Sequence, residues 1–153
     1  MRYNENYNGN SRRRNDGSKD YTKTYNKVSQ PLSVYYQDPK ELYLPEGKAY
    51  SYAVDFKDIP PHQLRKVLNG AKEAKAYSDA GDFENARKTL FVMVAMSAYN
   101  AGRDKKSKGL QYLYYFIRSV INEKSIESKK DIDAFDELFT SIIAYHKSMC
   151  KKK

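Results

Sequence analysis

The chain has 153 residues, which is enough for one domain but short for two. Its 28 lysines and arginines outnumber 19 aspartates and glutamates, and the net charge of +9 favours a polyanionic partner such as nucleic acid. Its one cysteine, Cys150, excludes an internal disulfide framework and suits a reducing compartment. No apolar run reaches the roughly 20 residues that cross a bilayer, and the first residues lack the apolar stretch of a signal peptide. A cytoplasmic protein without a membrane partner is therefore expected.

Residues 1–30 form the first distinct segment. They contain almost no aliphatic side chain before Val28 and carry seven basic against three acidic residues. Such a segment buries too little apolar surface to offset the entropy lost on ordering. We predict a disordered basic arm, which either contacts RNA or a neighbouring subunit or is only a solvated tail.

Residues 31–59 form a lead-in to the rest of the chain. They contain several tyrosines and four residues that interrupt regular structure, namely Pro31, Pro39, Pro45 and Gly47. The segment is predicted to be irregular or partly helical, with a short helix near residues 40–44.

From Pro60 onward, apolar side chains recur with the period of a helix, and residues 60–150 are predicted to form one helical bundle domain. The first helix is expected to begin at Pro60-Pro61, where a missing N–H costs nothing, and to end near Gly81. Asp82 suits the N-cap of the second helix, and Ser128 suits that of the last. Since no segment alternates with period two, the fold class is all-α: a compact bundle of four to five helices with a disordered basic N-terminal arm.

The second helix is apolar on nearly all sides. Phe91, Val92, Ala95, Met96 and Tyr99 fill the positions between its regular apolar stripe. Because a helix that is apolar all round is usually buried, we predict that this is the central helix and that it stops at Gly102. The same reasoning assigns the Tyr99 and Tyr145 rings to the core.

Few residues carry chemistry. His62 and His146 lack partners at metal-ligand spacing, and His146 on an apolar stripe is expected to be packed and hydrogen bonded. Asp131, Asp133 and Asp136 are interpreted as charges that complement the helix dipole and aid solubility. No metal, no cofactor and no catalytic residue is predicted, so the chain is not expected to be an enzyme.

Basic residues are the better candidates for function. They can hold phosphates without reading bases, which fixes position and not sequence. The candidates for RNA binding are Arg65, Lys66, Lys72, Arg103, Lys105, Lys106 and Arg118. Arg87 and Lys88 are further positions that we expect to be exposed.

Three stretches resemble the small subunit of type III-A CRISPR effector complexes, in the Csm family. Residues 95–103 read Ala-Met-Ser-Ala-Tyr-Asn-Ala-Gly-Arg, and residues 139–147 read Phe-Thr-Ser-Ile-Ile-Ala-Tyr-His-Lys. Residues 59–68, Ile-Pro-Pro-His-Gln-Leu-Arg-Lys-Val-Leu, are a weaker match. The resemblance covers roughly residues 56–148 and includes the order and spacing of the three stretches.

The resemblance implies a small helical bundle that assists antiviral defence without cleaving nucleic acid. It implies guide and target RNA, the backbone and other subunits of the ribonucleoprotein, and neighbouring copies of the chain as partners. By the same resemblance, Arg65 and Arg103 contact the RNA backbone, and Gly102 lets the chain turn out of the helix so that Arg103 faces the RNA groove.

Three alternatives remain from the sequence. One is the small subunit of a type III-B complex, which is also helical and basic. Another is a helical protein–protein adaptor without RNA binding, which predicts a large exposed apolar patch. A small enzyme is the third, and it would need a convergent polar pocket.

Overall fold

The computed structural model describes residues 24–149, and within that range every regular element is an α-helix. The elements are α1 Leu32–Tyr35, α2 Pro39–Tyr43, α3 Lys48–Asp55, α4 Pro61–Asp79, α5 Phe83–Arg103, α6 Lys108–Val120 and α7 Lys129–Met149. The predicted all-α bundle is confirmed. Most of the predicted arm, residues 1–23, lies outside the described residues, as do Cys150 and the last three lysines.

The four long helices pack as antiparallel neighbours. A tight turn joins α4 to α5, and Gly81 supplies its left-handed backbone with a φ of 87°. Asp82 caps α5, as predicted, because its carboxylate accepts the backbone N–H of Asn85 at 3.2 Å. Lys72 of α4 pairs with Asp136 of α7, and Lys75 pairs with Asp133. Since the residue number rises along α4 as it falls along α7, the two helices are antiparallel, and the start of α4 lies beside the end of α7.

The lead-in is more helical than its prolines suggest. In α3, Ala49, Ala53 and the following Phe56 are fully buried, at the i, i+4 and i+7 spacing of one helical face. That spacing is visible in the sequence and is a signal for a helix in this segment. Asp38 before Pro39 was another, since the Asp38 side chain accepts the Lys40 N–H and caps α2.

An aromatic cluster joins the lead-in to the bundle. Phe116 of α6 is fully buried among Tyr25, Tyr52, Phe56 and Phe139, with ring centroids 4.6–6.5 Å apart. The Tyr25 hydroxyl donates to the Asp55 carboxylate at 2.8 Å, and burial, with Asp55 beside it, raises the pKa of Tyr25. Tyr25 and Tyr52 therefore pack against the core, and their hydroxyls are paired inside the protein, that of Tyr25 with Asp55 and that of Tyr52 with Tyr36.

The prediction that Asp131 and Asp136 act only as dipole and solubility charges is wrong. Asp131 is fully buried and accepts the backbone N–H groups of Ser33, Glu127 and Ser128 at 2.9–3.0 Å. Ser128 does lie at the start of α7, but the capping bond runs from its N–H to the Asp131 carboxylate. Asp136 is 5% exposed and lies 3.0 Å from the Lys72 ammonium.

The prediction that α5 is buried on all sides is also wrong. Val92, Met96 and Tyr99 are 49%, 51% and 57% exposed, and Phe91 is 36% exposed. The reason is that α4 and α6 cover α5 on its two flanks, while no other described element covers its outer face. Tyr99 is thus a surface residue, whereas Tyr145 packs partly against the core and donates its hydroxyl to the Tyr43 carbonyl at 2.6 Å.

Candidate nucleic-acid interface

One end of the bundle collects cations from distant parts of the sequence. Three contacts define this end: Ile59 lies against Gly109, His146 against the carbonyl of Phe56, and Gln111 against that of Ala101. The His146 ring is buried and its Nε2–H donates to the Phe56 carbonyl at 3.0 Å, which confirms its predicted packed role. The exposed cations here, which we call the basic end, are Lys57, Arg65, Lys66, Arg103, Lys105, Lys106, Lys108 and Lys147.

The basic end includes most of the predicted RNA-binding residues. Arg65 and Lys66 lie in the second turn of α4, on different sides of the helix. Arg65 is two turns before Lys72, which faces α7, whereas Lys66 lines a groove between α4 and α5. Cations therefore flank the start of α4 on both sides.

Arg103 is the last residue of α5, and it lies beside an exposed ring. Its guanidinium carbon is 5.7 Å from the centroid of the Tyr99 ring, one turn earlier in the helix. The prediction that Gly102 turns the chain out of the helix is wrong. Among the described glycines only Gly81 has a positive φ, so Gly102 continues the helix and the chain turns after Arg103.

Two predicted RNA-binding residues lie away from the basic end. Lys72 is in the middle of α4 and is engaged by the Asp136 carboxylate. Arg118 lies near the end of α6, with its guanidinium carbon 5.2 and 4.9 Å from the ring centroids of Tyr114 and Tyr115. Arg87, which was expected to be exposed, is half-buried and donates to the carbonyls of Ile126 and Glu123 at 2.8 and 2.9 Å.

The opposite end of the bundle has no comparable excess of cations. There Lys75 and Lys129 contact the carboxylates of Asp79 and Asp133. The hydrogen bond from Lys129 holds the pKa of Asp79 below its usual range. Because these charges neutralise one another, the excess positive charge of residues 24–149 is concentrated at the basic end.

Next to the basic end, α5 exposes an apolar stripe, which consists of Phe91, Val92, Met96 and Tyr99. Beside the stripe lies a groove of about 500 Å³ between α4 and α5. Its floor includes Val67, Met93, Leu110 and Leu113, and Lys66 and Lys88 are at its edges. An exposed apolar surface next to a basic one fits contact with a protein on one side and with a polyanion on the other.

Within residues 24–149 no three His, Cys, Asp or Glu side chains are grouped so that they could hold a metal ion. In the same range no helix is long and apolar enough to cross a membrane.

Comparison with known proteins decides the family. The model of the family described as Csm2 Type III-A matches residues 40–152, well over half of the chain. The chain belongs to this family. It is a small subunit of a type III-A CRISPR effector complex, and membership in the Csm2 family implies assembly with the other subunits of that complex. The Csm2 family is a family of structural small subunits that are generally non-catalytic. Neither the curated proteins nor the solved structures contained a match to the chain.

Proposed function

We propose that this Csm2 family member binds the backbone of guide and target RNA through its basic end, as a non-catalytic component of the effector ribonucleoprotein in antiviral defence. The observation that supports the proposal is that cations from two separate segments of the sequence lie together at one end of the bundle. Arg65, Lys66, Arg103, Lys105 and Lys106 come from two segments nearly 40 residues apart, and the antiparallel packing of α4 and α5 brings them to one end. These are five of the seven RNA-binding residues that the sequence predicts.

The chemistry of this end favours phosphates over bases. Its cations lie on exposed helix ends and in the loop between α5 and α6, and their ammonium and guanidinium groups can pair with phosphate oxygens. Contacts to phosphates fix the position of an RNA strand, whereas contacts to base edges read its sequence. A scaffold that serves any guide sequence needs contacts of the first kind.

The double variant Arg65→Gln/Arg103→Gln is expected to bind RNA less tightly, with a weaker dependence on salt. Each phosphate contact to single-stranded RNA adds about 0.7 to the slope of log affinity against log salt, so losing two contacts reduces that slope by about 1.4. The measurement is a salt titration of binding to two RNAs of unrelated sequence, for the chain alone and for the assembled complex. Both RNAs should respond equally.

The matched control is Lys124→Gln/Lys130→Gln. It removes the same charge from exposed positions at the opposite end of the bundle. If only net charge mattered, both double variants would lose the same affinity, and the proposed location of the RNA would be incorrect. If the wild type binds no RNA, either as the chain alone or in the assembled complex, the chain acts as a protein–protein adaptor.

A second contact surface is favoured by the apolar stripe of α5. We infer that another protein subunit of the effector complex, or a neighbouring copy of this chain, covers Met96 and the residues around it. Membership in the family supplies the protein partners, and the bundle itself leaves Val92, Met96 and Tyr99 about half exposed. RNA phosphates gain nothing from an apolar surface, so this part of α5 suits protein and not RNA.

The variant Met96→Glu is expected to reduce incorporation into the complex by tenfold or more, because a charge would be buried against an apolar partner. Its melting temperature should stay near that of the wild type, since Met96 is 51% exposed. Co-purification of tagged complex measures incorporation. The control is Ala76→Glu on the exposed face of α4, and equal incorporation of both variants would exclude the α5 stripe as a contact surface.

A further inference from the structure

Gly102 is a glycine inside a helix that the fold itself does not require. It lies in α5 without a positive φ, and a Cβ atom added to it would have open space around it, with no neighbouring element within 4 Å. Glycine is less favourable than alanine inside a helix, because it loses more conformational freedom on folding. Neither backbone conformation nor packing within the bundle explains the glycine, which fits a partner that comes close to the helix surface here.

Two side chains flank Gly102 on the outer face of α5. Residues three and four apart are neighbours on a helix, so Tyr99, Gly102 and Arg103 form one continuous surface. Tyr99 is 57% exposed, and the Arg103 guanidinium carbon lies 5.7 Å from the centroid of its ring. Because helical side chains point back towards the N-terminus, a side chain at position 102 would lie beside the Tyr99 ring. Glycine leaves that space open.

This surface has the groups that bind a nucleotide. The exposed Tyr99 ring offers a π-face to a base, the Arg103 guanidinium can hold a phosphate, and the glycine between them leaves room for the sugar. The two functional residues are about 6 Å apart along the helix axis, since a helix rises 1.5 Å per residue. In the loop that follows, Lys105 and Lys106 outnumber the carboxylate of Asp104.

The charge beside Tyr99 distinguishes it from the other members of the apolar stripe. Val92 and Met96 have no aromatic ring and lie further from Arg103, towards the middle of α5, so they suit the contact with protein. A protein that also covered Tyr99 would exclude water from the Arg103 guanidinium, and burying a charge is costly unless it is paired. An RNA strand supplies both a base for the ring and a negative charge for the guanidinium.

We propose that Tyr99, Gly102 and Arg103 form a subsite for one nucleotide of the RNA strand on the basic end. In this subsite an unstacked base lies on the Tyr99 ring, and a neighbouring phosphate pairs with Arg103. The inference rests on the proposed function of the basic end and adds an aromatic contact to its cations. Because every base has a π-face, stacking does not read the sequence, and the subsite accepts any RNA.

The test uses the full-length chain, alone and in the assembled complex, with two probes: a mixed-sequence single-stranded RNA and an abasic RNA of the same length. Tyr99→Leu keeps an apolar side chain but removes the π-face, and it should weaken binding to the base-containing RNA by about fivefold or more. Its salt slope should equal that of the wild type, since no charge is lost. Binding to the abasic RNA should not change. The control Tyr99→Phe keeps the ring and should bind both RNAs like the wild type.

Gly102 provides an independent measurement. Gly102→Leu fills the open space beside the ring, so it should lower the affinity for the base-containing RNA severalfold. Its melting temperature should stay equal or rise, because leucine favours a helix more than glycine does. The matched control is Gly102→Ala, which also raises helix propensity but adds only one methyl group, and it should reduce the affinity much less.

The outcomes separate this inference from the proposed function. If Arg65→Gln/Arg103→Gln weakens RNA binding and neither Tyr99→Leu nor Gly102→Leu does, the inference is overturned and the proposed function stands. Equal losses of Tyr99→Leu on both RNAs would also overturn it, because no base would then be involved. If Tyr99→Leu binds RNA normally but enters the complex poorly, the ring belongs to a protein contact and the inference is wrong. If no variant changes RNA binding, the proposed function fails as well.

Discussion

Replacing Asp131 with alanine is expected to lower the free energy of unfolding by about 3 kcal/mol or more. The Asp131 carboxylate accepts the backbone N–H groups of Ser33, Glu127 and Ser128, so its loss leaves three donors without their acceptor. Each buried donor that loses its partner costs roughly 1–3 kcal/mol, and water can replace the acceptor only where the site is open. Urea denaturation of the full-length chain measures the change.

The neighbouring carboxylate provides the control. Asp133 is half-exposed and contacts the ammonium groups of Lys75 and Lys129 on the surface. Such exposed pairs contribute about 0–1 kcal/mol, so Asp133→Ala should be nearly neutral. Similar losses for the two variants would mean that Asp131 does not hold α1 and the start of α7 together.

The variant Phe116→Ala is expected to cost about 3–5 kcal/mol, the usual range for removing a fully buried aromatic side chain. Its ring contacts Tyr52 and Phe56 from the lead-in, Tyr25 from the first described residues, and Phe139 of α7. The cavity would therefore weaken three segments at once. Thermal and urea denaturation measure the loss, and Phe116→Leu should recover part of it because it refills some of the volume.

Tyr115 provides a control that distinguishes the loss of core packing at Phe116 from a change in helix propensity. Tyr115 immediately precedes Phe116 in α6 and is only half-buried. Tyr115→Ala changes the same helix by a similar volume but opens no internal cavity, so its cost should be well below that of Phe116→Ala. Equal costs would show that the aromatic cluster contributes little to stability.

The long helices could be predicted because each carries a continuous apolar period and recognisable ends. Pro61 at the start of α4 and Asp82 before α5 are local signals, and local signals do not depend on the rest of the fold. Exposure is different. Periodicity shows that Met96 and Tyr99 are on apolar positions, but only the arrangement of α4 and α6 determines that neither is covered.

The sequence proposes which residues bind RNA, which stays a prediction, but it does not show where those residues lie in the fold. Arg65 and Arg103 were selected from the sequence, yet their placement at one end depends on antiparallel packing between helices. Ser128 and Asp131 have the spacing of a capping box, which accounts for one local bond, but the bond from Ser33, 98 residues away, could not be predicted from any local pattern. Similarly, Lys72 looks like any exposed lysine until Asp136 is found beside it.

The separation of charge along the bundle also has a consequence for the proposed binding of RNA. With excess cations at one end and paired charges at the other, the described residues form an electric dipole that runs along the bundle. The electric field of a polyanion orients this dipole before contact, so encounters occur preferentially at the basic end. Added salt shortens the range of this orienting force, so the association rate constant for RNA should fall, while the dissociation rate constant should change less.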